Sequence, residues 1–521
     1  MKKRLRQWTG FFGLAILFVA ACAPLGEFET KPTKVFSQTQ AIEVFTAGLT
    51  GVYEKYIDEV SVRNIALEGI RGLGAIDPDL TVAEDGGKVV LSTSGREVAR
   101  LDAPKANDAA GWARLTVQAS LAVRNLSAEM KAASMEAVYE AVFDGVLSNL
   151  DIFSRYAGAK EAKRNRAKRD GFGGIGIRYR IEEGNPVITA VLENTPAEKA
   201  GLLKDDRITH VDGVRLKNFS RINISDRIRG PTHTQVQLTL QRAGVPNPLK
   251  VAMERAHIFP TTVFRSVKDG IVLLKVKSFN QDTARSLASE LKKARAALDN
   301  DFKGLVIDLR GNPGGLLKQS VKVSNLWLSQ GQIVSTRGRH VDSIHHYEAS
   351  GQDLASGLPI IVLIDGKSAS AAEIVAAALQ DRDRAVLVGT SSFGKGSVQT
   401  VIRLPNDGEI TLTWSKLVAP TGYMLHGLGV LPAICTSGVK GGAQAVIRKV
   451  MANRSKTEET FVAWRKPGLK AEPSRNRLRA SCPAQRRPDE VEIQIARELI
   501  QDQTLFARAL NLTAATHQAR N

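Results

Sequence analysis

The apolar run Pro359–Ile364 is followed by a turn at Asp365-Gly366-Lys367. Then comes Ala371–Leu379, made of strong helix formers without Pro or Gly. This pattern predicts a buried strand, a tight turn and a helix, with Ser370 at the junction. A second apolar run, Ala385–Val388, enters a Gly-rich loop that carries Lys395. Two reactive side chains thus stand at the ends of two adjacent strands, where open α/β sheets form their sites. Upstream, Ile271–Phe279 reads as a strand, Thr283–Leu298 as a helix and Leu305–Leu309 as a buried strand. The last runs into Asp308-Leu309-Arg310-Gly311-Asn312-Pro313-Gly314-Gly315, a tight turn before a helix from Leu316.

Toward the N-terminus the period changes to that of helices. Ile42, Phe45, Leu49, Val52 and Tyr56 fall on one face of Gln38–Ile57. Val62–Leu73, Ala109–Val123 and Ala128–Leu150 read as further helices, with a small hairpin at Val89–Leu91 and Val98–Leu101. Lys160–Arg169 is a basic run, a solvated linker or helix. Alternating strands follow at Val187–Val191, Ile208–Val211 and Val236–Leu240. Beyond Ile434, Ala443–Met451 and Asp489–Leu510 read as helices, and the Arg-, Lys- and Pro-rich stretch between Arg465 and Arg487 as a flexible link.

A chain of 521 residues with 43% hydrophobic and 24% charged residues is long enough for several domains. Its net charge of +19 suits anionic surfaces such as lipid head groups or cell-wall polymers, and equally a basic proteome background. Basic residues are not interleaved with aromatics, so nothing points to nucleic acid. His345-His346 lack further ligand spacing, so no metal is expected. Lys2, Lys3, Arg4 and Arg6 precede a short apolar stretch, Phe11–Ala21, which is an export signal and too short to span a bilayer. Its end, Val19-Ala20-Ala21-Cys22, resembles the lipobox of bacterial lipoproteins, with Cys22 as the lipidated residue. A plain secretory signal is the alternative. Cys435 and Cys482 remain, an even pair in an oxidising compartment that suits a disulfide, two free thiols being the alternative.

The chemistry that fits Ser370 and Lys395 is nucleophilic attack. A serine hydroxyl needs a base, and a lysine serves as one only when desolvation lowers its pKa. Flanking Phe393 and Val398 offer apolar surroundings. Ala371, at a helix N-terminus, offers a backbone N–H to a developing oxyanion. Ser370-x-x-Glu373 also reads as a capping box, which by itself makes Ser370 only a helix cap.

Ser368-Ala369-Ser370-Ala371-Ala372-Glu373 and Phe393-Gly394-Lys395-Gly396-Ser397-Val398-Gln399 resemble the motifs of the carboxyl-terminal processing peptidases. These are tail-specific serine proteases with an embedded PDZ domain. The resemblance spans roughly Leu150 to Pro432. It implies Ser370 as nucleophile, Lys395 as base, and Gln399 orienting the lysine. It also implies an oxyanion hole from Ala371 with Gly314 or Gly315. Phe172-Gly173-Gly174-Ile175-Gly176-Ile177, with the Thr195–Leu202 and Asp206–Gly213 stretches, resembles a PDZ domain of this type. Gly173, Gly174, Ile175, Gly176 and Ile177 are then its peptide-binding residues, forming a nest for a terminal carboxylate. Arg229 resembles a position that links the PDZ domain to the active site in some relatives, a regulatory candidate. The family's D-P-H-S-x-Y stretch is here Asp151-Ile152-Phe153-Ser154-Arg155-Tyr156, a departure expected to lie outside the chemistry.

The expected fold is multidomain α+β, with a helical N-terminal region, a β-rich PDZ domain and a ClpP/crotonase-like α/β peptidase core. The expected divisions are 1–22 signal peptide, 23–160 helical region, 171–256 PDZ domain, 258–434 core and 435–521 C-terminal extension. The expected activity is that of a serine endopeptidase of the bacterial cell envelope, periplasmic and lipid-anchored. It takes protein substrates with accessible, apolar C-termini, with no cofactor and a regulatory partner protein left open. A non-catalytic PDZ adaptor that scaffolds envelope proteins is the competing class, and intact Ser370, Lys395 and Gln399 argue against it.

Overall fold

In the computed structural model, residues 37–438, 441–466, 472–486 and 490–514 are described. The Cys22 lipobox lies outside them. Three hydrophobic cores organise the described residues, one each for the N-terminal helices, the PDZ domain and the peptidase core.

The peptidase core is a six-stranded sheet in the order Val263–Lys268, Ile271–Val276, Gly304–Asp308, Ile360–Ile364, Val386–Gly389, Ile434–Cys435. Only the first pair is antiparallel. Gly304–Asp308, Ile360–Ile364 and Val386–Gly389 are buried along their whole length, as parallel strands covered on both faces must be. Ile307 pairs with Val362, and Val362 with Leu387. The C-terminal ends of these strands bring three turns together, at 309–316, 365–370 and 390–396.

The C-terminal segment is part of this core rather than a separate extension. Val446, Ile447, Phe461, Trp464, Ile495 and Leu499 bury their side chains in the same cluster as the sheet. The stretch expected to be a flexible link contains the helix Glu472–Arg479. It also contains Cys482, which is joined to Cys435 by a disulfide. The helix expected over 489–510 is two, Glu490–Gln501 and Gln503–Ala514, with Asp502 between them accepting from the Leu505 N–H at 2.9 Å.

A second sheet, His345–Glu348, Gln332–Gly338, Glu409–Val418 and Ser397–Arg403, takes Arg155–Ala157 as an extra strand. Its hairpin 397–418 turns Leu404, Ile410 and Leu412 into the N-terminal core, against helices Gln38–Lys55 and Met135–Leu147. The N-terminal helices therefore hold the hairpin that begins just after Lys395. Two local expectations change there. The hairpin is a three-stranded meander, because the mostly exposed Leu80–Asp85 pairs in as an edge strand that sends only Leu80 and Val82 to the core. The helix expected over 128–150 breaks at Ser134, which caps Met135–Leu147.

The PDZ sheet runs Leu249–Glu254, Gln235–Gln241, Arg207–Val211, Asn185–Val191, Ile177–Glu182. Ile177–Glu182 is its edge, and the helix Arg221–Ile228 lies across from it: the Tyr179 hydroxyl reaches Ser225 Oγ at 2.6 Å.

Candidate active site

Ser370 caps the helix Ala371–Asp381 with φ +56° and ψ −115°. A side chain at positive φ costs on the order of 1–3 kcal/mol and persists only where the surroundings impose it. Glu373 imposes it. This wholly buried carboxylate accepts from the Ser370 N–H at 2.7 Å and forms a capping box with it. It also accepts from Ser392 Oγ at 2.5 Å, the Gly394 N–H at 2.7 Å and the Lys395 N–H at 2.9 Å. Burial pushes its pKa up, and these four donors oppose the rise. One carboxylate thus fixes the Ser370 turn and the Lys395 loop to each other. Ser368 is buried, and its hydroxyl donates to the Leu309 carbonyl at 2.9 Å, so it braces the turn.

The Lys395 side chain turns toward the Asp151–Tyr156 segment. Its Nζ lies 4.8 Å from the centre of the Phe153 ring. Burial holds the lysine below its ordinary pKa, Arg155 adds repulsion, and Asp151 and Glu373 pull the other way. The expectation that this segment lies outside the chemistry is therefore corrected. Phe153, not the half-exposed Phe393, supplies the aromatic wall. Asp151 fixes it there, accepting from the Phe153 and Ser154 N–H groups and from Thr413 Oγ1 at 2.7–3.0 Å. Gln399 does not reach the lysine: its amide donates to Ser397 Oγ at 2.9 Å and Thr413 Oγ1 at 3.3 Å, beside a β-bulge at Val398/Gln399. Among the described residues no hydrogen bond joins Ser370 Oγ to Lys395 Nζ.

The turn after Gly304–Asp308 packs against Ser370. A Cβ on Gly314 would stand 2.7 Å from the Ala369 carbonyl oxygen and 3.0 Å from the Ala371 nitrogen, so only glycine fits. Yet the Gly314 N–H is donated to Asn312 Oδ1 at 2.8 Å. That separates the two glycines expected to be interchangeable. The N–H groups of Gly315 and Ala371 have no protein acceptor among the described residues. The Asn312 main-chain carbonyl accepts from the Ala369 N–H at 2.9 Å.

Two arginines that the sequence did not single out brace these turns. Arg310 pairs with Asp308 and, across the chain, with buried Glu492 at 2.7 Å. Arg479 donates to the carbonyls of Leu428 at 2.5 Å and Ser392 at 3.0 Å, behind the Lys395 loop.

In the PDZ domain a cavity of about 530 Å³ lies between the edge strand and the helix. Gly174, Ile175, Gly176 and Ile177 line it, and the N–H groups of Ile175 and Gly176 have no acceptor among the described residues. Gly173 is held at its end, its carbonyl accepting from the Gly230 N–H at 3.2 Å. Arg229 lays its guanidinium 3.8 Å from the Phe172 ring centre. Among the described residues no helix is long and apolar enough to cross a membrane, and no cluster of metal-ligating side chains occurs.

Comparison with known proteins places this geometry in context. The profile of peptidase family S41 matches residues 270–436, and that of a PDZ domain matches residues 187–242. A carboxy-terminal-processing protease of Bartonella bacilliformis is 41% identical over 297 residues, 57% of this chain and 68% of that protein. A probable CtpA-like serine protease of Staphylococcus aureus is 29% identical over 345 residues, 66% of this chain and 68% of its own. Among solved structures, the photosystem II D1 C-terminal processing protease overlaps 76% of this chain and 92% of its own, at 22% identity and a TM-score of 0.38. With a serine at a strained strand-to-helix turn, a depressed lysine on the adjoining loop and a PDZ domain upstream, the chain belongs to peptidase family S41, the serine proteases that include the carboxy-terminal-processing proteases.

Proposed function

We propose that the chain is an endopeptidase that captures protein C-termini in its PDZ groove and cleaves with Ser370 as nucleophile and Lys395 as base. The observation that carries this reading is the shared carboxylate of Glu373, which ties the Ser370 turn to the Lys395 loop. Burial holds Lys395 below its ordinary pKa, the direction that favours the neutral amine a base needs. It takes the Ser370 proton as Oγ attacks the scissile carbonyl. The N–H groups of Ala371 and Gly315 meet the oxyanion. Lys395 then returns the proton to the leaving amine, and water releases the acyl group by the same route.

For this the lysine leaves the Phe153 ring and turns toward Ser370, with the Gln399 amide oxygen accepting from the amine so that its lone pair faces the serine hydroxyl. A tail seated against the Ile175 and Gly176 N–H groups presents its carboxylate to donors that have no other partner among the described residues, and its apolar side chain meets Ile175 and Ile177. Arg229, on the same groove, is the candidate for reporting occupancy to the core. Cys22 and the segment before it support export and lipid anchoring in the bacterial envelope, so envelope proteins are the proposed substrates. The test is cleavage of an unfolded protein with an apolar C-terminal tail, wild type against Ser370→Ala. An active Ser370→Ala protein overturns the assignment.

A further inference from the structure

We propose that the PDZ groove selects tails with an acidic residue next to the last position. The proposal rests on the tail-capture reading above and names its substrate class. Four cations, Lys168, Arg178, Arg229 and Lys277, line the groove cavity, and no Asp or Glu does. None of the four is ion-paired among the described residues. Arg178 and Lys277 instead converge on one ring: the guanidinium lies 5.6 Å and the ammonium 4.4 Å from the centre of Phe264. Arg178 comes from the PDZ edge strand and Lys277 from the peptidase core.

A generally basic surface does not account for this. In the adjoining cavity, beyond Phe259, Arg265, Arg285 and Lys293 are each paired, with Glu290, Asp282 and Glu193. Arg178 and Phe264 border that cavity too, yet none of its carboxylates pairs with Arg178, and Asp226 acts on Arg229 without forming an ion pair with it. Two like charges over one ring repel, and an incoming carboxylate relieves that repulsion.

The register says where the carboxylate sits. A tail added beside Ile177–Glu182 alternates its side chains between two faces. Ile177 and Tyr179 pack against the PDZ core, whereas Arg178 lies over Phe264. A terminal side chain on the Ile177 face leaves its neighbour on the face of Arg178 and Lys277. Arg229 lies at the other end, by the Gly173 turn, where the main-chain carboxylate belongs.

The experiment uses the full chain with Ser370→Ala, so that tails bind uncut, and fluorescent peptides read by anisotropy. Three peptides suffice: one with Glu at the penultimate position, one with Gln there, and the Gln peptide amidated at its C-terminus. The Glu peptide is expected to bind about three- to tenfold more tightly than the Gln peptide, since each exposed pair adds modestly. This advantage is expected to shrink with salt and to vanish when Arg178→Gln and Lys277→Gln are combined. Equal affinities for Glu and Gln in the otherwise unchanged groove overturn the proposal, as does a Glu advantage that survives both substitutions. The free-acid and amidated Gln peptides report separately on tail capture, so its failure is distinguishable.

Discussion

Lys395 Nζ stands 4.8 Å from the centre of the Phe153 ring, a contact across 242 residues of sequence. It places the proposed base in a pocket built by the segment just before the PDZ domain. The lysine acts as a base only when neutral, so activity rises with pH through its pKa. Phe153→Ala admits water and lets that pKa rise toward its ordinary value. Arg155→Gln removes a repelling charge and acts in the same direction. The rising limb of kcat/KM against pH is expected to move to higher pH in both variants. A limb that stays in place in both means that another group titrates there.

Backbone strain at Ser370 gives a second outcome, independent of catalysis. Ser370→Ala and Ser370→Gly both remove the hydroxyl, but only glycine accepts φ +56° freely. Both are expected to be inactive, with Ser370→Gly more stable than Ser370→Ala by about 1 kcal/mol in thermal or urea unfolding. Equal stabilities argue that the turn is relaxed.

What the sequence disclosed, and what it did not, follows from how each element is held. Ile360–Ile364 and Ala371–Asp381 form where apolar runs and helix formers predict them, because both are fixed by local propensity and burial. Asp151–Tyr156 gave no sign of its place beside Lys395, since it arrives there through a turn on Asp151 and pairing with Glu409–Val418. Residues 472–486 look unstructured by composition, yet carbonyls of Leu428 and Ser392 and the bond to Cys435 hold them. Gly315 and Gly314 were indistinguishable until the Asn312 side chain was seen to take the Gly314 N–H.

Arg479 offers a third test, because its hydrogen bonds behind the Lys395 loop are to carbonyls and its charge lies near Glu373. Arg479→Ala leaves the Ser392 and Leu428 carbonyls without these donors and loosens the loop carrying the base. A fall of about tenfold in kcat is expected with little change in KM, the magnitude corresponding to one hydrogen bond of about 1.5 kcal/mol. Arg479→Lys is expected to restore part of it. A change confined to KM assigns the residue to substrate binding instead.

The disulfide gives a fourth. Cys435 and Cys482 close a segment with a sequence separation of 47, which contains Arg479. Cys482→Ser is expected to cost about 2–4 kcal/mol of stability by freeing the unfolded chain, and reductant is expected to have the same effect on the wild type and none on the variant. Unchanged unfolding midpoints on reduction show that the packing of Trp464 and the Arg479 hydrogen bonds hold the segment without the disulfide.

The last outcome concerns Arg310 and Glu492, which join the turn before Gly314 to a helix near the C-terminus. Both side chains are nearly inaccessible, and their ion pair is 2.7 Å long. Removing Arg310 strands Glu492 away from water, whereas removing Glu492 leaves Arg310 paired with Asp308. Asp308 also pairs with Arg310 and is held below its usual pKa by that guanidinium against the effect of burial, so it too loses support when the arginine goes. Arg310→Met alone is expected to destabilise by about 3 kcal/mol or more, because Asp308 and Glu492 are both left behind. Glu492→Leu alone is expected to cost less, because Asp308 still holds Arg310. The double variant is expected to cost less than the sum of the two, a coupling of about 1–3 kcal/mol read from a double-mutant cycle in urea unfolding. If the two losses simply add, the C-terminal helix is not coupled to the turn through this pair, and its hold on the sheet rests on Ile495, Leu499 and Ile500.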